Sequence, residues 1–131
     1  MHQEKDYLQR DIERITLFLK ILLRKVAGLT NDDFQPQYDQ LEKDLKEQVD
    51  FSIQELNQLN AAELKDKLAS LHLAHIESIV EIAFEILKKS STKNKERFLR
   101  NILLMIDYVN DNSDSISLQR IHIREEVAKH L

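Results

Sequence analysis

His72 and His75 stand three residues apart, a spacing that lets two imidazoles on one helix share a metal ion. Glu77 and Glu81 follow closely. At 100° per residue, however, these glutamates fall more than about 100° around a helix from the midpoint of the two histidines. Metal binding needs converging ligands, so the expectation is two partly buried histidines near a bend, each bonded to a carbonyl or carboxylate. Glu77, Glu81 and Glu85 repeat every fourth residue. Di-metal carboxylate bundles need Glu-x-x-His on two helices. No Glu stands three residues before either histidine, and Ser78, not Glu, follows His75 by three. The row reads as a wet helix face, its repulsion eased by Lys88 and Lys89. One glycine, one proline and no cysteine leave no phosphate-cradling loop, no thiol and no nucleophile elbow. No catalytic constellation is visible, so no enzyme activity and no cofactor is expected.

Lys88, Lys89, Lys93, Lys95, Arg97 and Arg100 form a local basic cluster, with Glu96 inside it. A nucleic-acid patch wants a basic face with aromatic partners. Only Phe98 is close, and its spacing marks it as core. The cluster reads as a solvated turn, and no nucleic-acid partner is expected.

The best functional candidates are apolar. Leu17, Phe18 and Ile21 lie outside the main apolar stripe of the first helix, with Arg10 and Arg14 flanking the N-terminal part of this second stripe. Arginine beside exposed apolar residues is interface composition. A helix apolar on two sides must be covered from two directions. It is either the central helix of a bundle or the carrier of a subunit interface.

Composition bounds the rest. The 131 residues fit one domain, 42% are hydrophobic and 32% charged, and the net charge is −4. That balance describes a soluble globular helical protein with no global attraction for nucleic acid or anionic membrane. Absence of cysteine fits a reducing compartment. The polar start, Met1 to Asp6, does not read as a signal peptide. The most apolar run, Ile15 to Leu23, is far short of the ~20 residues a span needs, so no membrane insertion and a cytoplasmic location are expected. Abundant Lys, Asn and Ile fit an AT-rich, bacterial coding sequence.

Glycine scarcity and 3.6-residue patterning predict an all-α, single-domain bundle of six to seven helices arranged as antiparallel hairpins. Helix 1 covers about residues 4–27, with Leu8, Ile12, Ile15, Leu19, Leu22, Leu23 and Val26 inward and Gly28 as C-terminal cap. Residues 29–35 form a linker with the cap cluster Asn31-Asp32-Asp33. Pro36 opens helix 2, which runs to about Val49 with Tyr38, Leu41, Leu45 and Val49 inward and Glu42, Lys43, Lys46 and Glu47 solvated. Capping boxes at Ser52–Glu55 and Asn60–Glu63 predict a short helix from Ile53 to Leu59 and a new one from Ala61. The apolar stripe shifts phase between Leu68 and Ile76, which predicts a bend or break near Ser70 to Leu73. Helix 4 then runs to about Lys89. The C-terminal hairpin spans about residues 93–131. Helix 5 runs from about Lys93 to Val109, with Phe98, Ile102, Met105, Ile106 and Val109 inward. Asn110 to Asp114 is a loop, and Ser115 or Ser117 caps helix 6, which ends at Leu131 and offers Leu118, Ile121, Val127 and Leu131 for packing.

Asp6-Tyr7-Leu8-Gln9-Arg10-Asp11-Ile12 with the Ile15–Leu23 run resembles the opening helix of an uncharacterised family of small all-helical bacterial proteins. The segment from Arg97-Phe98-Leu99 through Leu103-Leu104 and Tyr108 to Ser115-Ile116-Ser117-Leu118 is similar to that family's end. The resemblance implies tetratricopeptide-like helical hairpins and brings no catalytic residue. Three functions are open: a self-associating homodimeric interaction or scaffold module, a monomeric adaptor that binds a peptide, and an enzyme with a site between helices.

Overall fold

The computed structural model describes residues 2–30, 34–90 and 93–131, and the side chains among them except those of residues 2–7 and 34. The described residues are mainly helical and hold no strand. It comprises α1 (His2–Ala27), α2 (Phe34–Val49), a 3₁₀ helix (Ile53–Asn57), α3 (Ala61–Ala69), α4 (Leu73–Lys88), α5 (Glu96–Asn112) and α6 (Leu118–Ala128). The all-α architecture expected from the patterning is the one observed.

The central helix is α4, not α1. It packs against α1, α5 and α6, and nine of its residues are buried. Two hydrogen bonds fix its direction against α1. His75 Nε2 lies 3.1 Å from Ile12 O near one end, and Lys89 Nζ donates to Ala27 O at 3.4 Å near the other. The two helices therefore run parallel. Meanwhile α2 folds back on α1, with Arg14 donating to Gln48 at 2.6 Å, and α6 folds back on α5 through the Arg124–Asp107 pair at 3.1 Å. Leu19, Leu45, Leu56, Leu64, Ile79, Ile102, Met105 and Ile123 are fully buried in one continuous apolar core.

The chain turns without glycine. Asp50 and Asn94 adopt φ of 55° and 62°, left-handed conformations that these two residue types tolerate better than other non-glycines. Gly28, the one glycine, has no positive φ, so the left-handed cap expected there does not form. A methyl group at Gly28 would meet Arg24 O at 3.5 Å and Lys25 O at 3.8 Å, both ordinary contacts.

Two of the expected N-caps, Asn60 and Ser117, accept through their side chains. Asn60 Oδ1 accepts from Glu63 N at 2.9 Å, and Glu63 Oε1 accepts from Asn60 N at 3.0 Å. Asn60→Ala should therefore lose about 1 kcal/mol in a urea titration, with m unchanged. At the other box, Glu55 Oε2 accepts from Ser52 N at 2.6 Å. Ser117, rather than Ser115, caps α6 by accepting from Arg120 N at 3.1 Å. The expected break is real: α3 and α4 are separate helices, and Ser70 to His72 carry the turn.

Several expectations need correction. Leu8 is 64% exposed, because α1 begins before the body of the bundle can cover it. Helix α5 starts at Glu96 rather than Lys93 and continues through Asn112. The turn residues Asn110 to Asn112 are helical because tertiary packing of Met105, Ile106 and Val109 carries the helix past its apolar stretch. Helix α6 stops at Ala128, and of the four residues expected to pack only Val127 is buried. Leu118, Ile121 and Leu131 are exposed, and Ile123 and Arg120 take the inward positions instead. The cap cluster expected at Asn31 to Asp33 lies outside the described residues.

Candidate interaction surface

Both histidines have local partners. His72 is the N-cap of α4, its Nδ1 accepting from Ala74 N at 3.2 Å. His75 is 4% exposed, with Nε2 at 3.1 Å from Ile12 O and 3.2 Å from Thr16 Oγ1. Burial holds its imidazole below the ordinary histidine range. The two rings stand 5.3 Å apart, but their nitrogens serve different helices. Among the described residues, no three His, Cys, Asp or Glu side chains come close enough together to hold a metal ion.

The basic cluster is spent on local ties. Lys88 pairs with Glu85 at 2.7 Å and lies over the Phe84 ring. Lys95 donates to Ser90 Oγ at 3.1 Å and lies over the Phe98 ring. Arg97 donates to Gln58 O at 3.1 Å, and Arg100 pairs with Glu96 at 2.8 Å. Beside them, buried Asn101 donates from Nδ2 to Leu56 O and Leu59 O, both at 2.9 Å. This side chain pins the 3₁₀ segment to α5. Its polarity on an inward position was the signal that could have revealed it.

The glutamate row of α4 is not fully wet. Helix α6 crosses it and sets Arg120, 5% exposed at its side chain, with Nε 3.1 Å from Glu77 Oε1. Nη2 of Arg120 donates to Ser115 O at 2.6 Å, while Nε and Nη1 have no hydrogen-bond partner among the described residues. Burial first, then Glu77 and Glu85, raise the carboxyl pKa of Glu81. A raised folded pKa means that charging Glu81 disfavours the fold. Its neutral form is stabilising below the unfolded pKa, and this is lost as pH rises through the folded value. Glu81→Gln should therefore raise the melting temperature at neutral pH, and the gain should vanish near pH ~4, as read by calorimetry at the two pH values. A second glutamate expected in solvent, Glu42, instead accepts from Ile53 N and Gln54 N, both at 2.9 Å, and anchors the 3₁₀ helix to α2. With burial, Glu42 also raises the phenol pKa of the half-buried Tyr38.

The outer face of α1 is left uncovered by the rest of the described residues. At 100° per residue, Arg10, Arg14, Leu17, Ile21 and Arg24 fall within about 80° of one another, on the side away from Leu19, Leu22 and Val26. Leu17 is 60% and Ile21 44% exposed. Phe18 is different: it is half-buried and packs against the core, which separates it from the open pair. Arg14 is engaged, with Nη2 2.7 Å from Asp11 Oδ1 and Nη1 donating to Gln48. Arg10, Lys20 and Arg24 are exposed and make no ion pair with described residues. The helix thus presents two apolar side chains one turn apart in a mainly basic frame, with Glu13 the one exposed acid within it. Between α1 and α2 lies a cleft of about 100 Å³, with Leu22, Val26, Leu29 and Leu41 as its apolar lining and Lys25, Gln37, Gln40 and Asp44 as its polar lining. Among the described residues, no helix is long and apolar enough to cross a membrane. Compared with family models, curated proteins and solved structures, the chain matches none of them.

Proposed function

We propose that this protein is a small non-catalytic helical interaction or scaffold module that self-associates through the outer face of α1, in the cytoplasm of a bacterial cell. The observation supporting it is the pair Leu17 and Ile21, exposed at 60% and 44% on a helix whose opposite side is core. Apolar residues framed by arginine are the composition of a docking surface. The tetratricopeptide-like hairpins implied by the resemblance belong to this same reading, as a scaffold whose helices present one open face.

The double variant Leu17→Glu/Ile21→Glu tests it. Both side chains point away from the core, so the fold should keep its helical circular dichroism and its stability to within about 0.5 kcal/mol. Its sedimentation mass should fall to that of the 15.5 kDa monomer, while the native chain sediments heavier. A folded variant with the native chain's mass would contradict this surface. The cleft between α1 and α2 supports the second reading, a monomeric adaptor. Its volume admits a single apolar side chain of a peptide, with Leu22, Val26 and Leu41 as its walls.

A further inference from the structure

The reading above names one surface and leaves its counterpart open. A second exposed apolar patch lies at the start of α6. Ile116 is 86%, Leu118 83% and Ile121 46% exposed. These are large values for three branched apolar residues within six positions, and the rest of the hairpin does not cover them. The charges around this patch are sorted. Arg120 is buried against Glu77, and Arg124 is paired with Asp107. The exposed charges left without an ion pair among the described residues, in the segment 111–125, are Asp111, Asp114 and Glu125. The corner is therefore apolar with an acidic frame.

The face of α1 is its complement: Leu17 and Ile21 one turn apart, framed by Arg10, Lys20 and Arg24, which outnumber the one exposed acid among them, Glu13. Leu118 and Ile121 are also about one turn apart. Like-charge juxtaposition disfavours pairing α1 with α1, because Arg10, Lys20 and Arg24 would face their own copies in a parallel pair and Arg24 would face Arg14 in an antiparallel one. Opposite charge favours α1 against the acidic corner. Resting on the reading of α1 as a self-association surface, we infer that its occupant is the Ile116–Ile121 corner of a second copy of this chain. Each copy carries one of each surface. Contacts of two unlike surfaces close reciprocally in a dimer, close around a ring, or, where the rotation does not close, extend as an open filament.

The chain contains no cysteine, so single cysteines report cleanly. Leu17→Cys and Leu118→Cys chains are prepared separately, given different isotopic masses, mixed in equal amounts and oxidised. The expected result is a 17-to-118 disulfide in large excess over the statistical mixture of products. It should fall sharply at ~1 M salt, where the screening length is about 3 Å. A 17-to-17 product in excess would overturn this pairing and leave α1 as the self-association surface. A merely statistical mixture, from chains that sediment as monomers, would overturn both. A charge exchange provides the control. Arg10→Glu/Arg24→Glu should abolish the 17-to-118 product, and combining it with Asp111→Arg/Asp114→Arg on the other chain should restore it. Failure to restore, with both chains folded, would also overturn the pairing.

Discussion

Phe51→Ala is expected to cost about 3–5 kcal/mol, among the largest single effects in the chain. Phe51 is fully buried and is one of the two largest such side chains. It sits outside any helix, directly after Asp50 turns the backbone left-handed at φ 55°. The turn aims the ring into the core, and the ring in turn fixes where the 3₁₀ helix docks. Removing it leaves a cavity that the Glu42 and Asn101 anchors prevent from collapsing. Ile79→Ala, in the middle of α4, should cost about 2–5 kcal/mol by the same cavity argument. Chemical denaturation of both variants checks the pair. A Phe51→Ala variant within 1 kcal/mol of the native chain would mean the connection, not the ring, sets the docking.

Glu77→Ala is expected to be nearly as damaging, for an electrostatic reason. Arg120 is buried at the α4–α6 crossing, and Glu77 supplies its only ion pair among the described residues. Deleting the acid strands a guanidinium that already has two unmatched nitrogens. Breaking a fully buried pair costs about 3–5 kcal/mol. Glu77's side chain is 36% exposed, and water entering beside Arg120 lowers the expected loss to about 3 kcal/mol. The double variant Glu77→Ala/Arg120→Met should recover most of it, because an apolar residue of similar length fills the site without charge. A double variant no more stable than Glu77→Ala would show that the pair is not the source of the loss. Urea titration of the four members of this cycle decides it.

Most of the helical framework was legible because local rules and tertiary packing agree there. The 3.6-residue stripe of α5, the Asn60–Glu63 box and the phase shift before α4 each point to one structure. The rest depends on what lies across from a residue, which periodicity does not contain. Phe51 is core although no helix carries it. Arg120 is buried although it is an arginine, because α6 lies over the glutamate row of α4. Leu8 and Leu118 satisfy a stripe and are nevertheless exposed, because the stripe extends past the neighbour that would cover it. The same limit applies to the candidate surface. The second stripe of α1 was visible as Leu17, Phe18 and Ile21 together, yet only the packing divides it, placing Phe18 against the core and leaving Leu17 and Ile21 open. The helical angle sets the glutamates of α4 apart from His72 and His75, but that His72 caps α4 follows from where α3 ends.

The central claim is that α1 presents a surface to another copy of the chain, and the unaltered protein tests it most directly. Sedimentation equilibrium from micromolar to near-millimolar concentration should show the average mass rising above 15.5 kDa, and falling back when salt is raised at fixed concentration. A mass that stays at 15.5 kDa across that whole range would contradict the account.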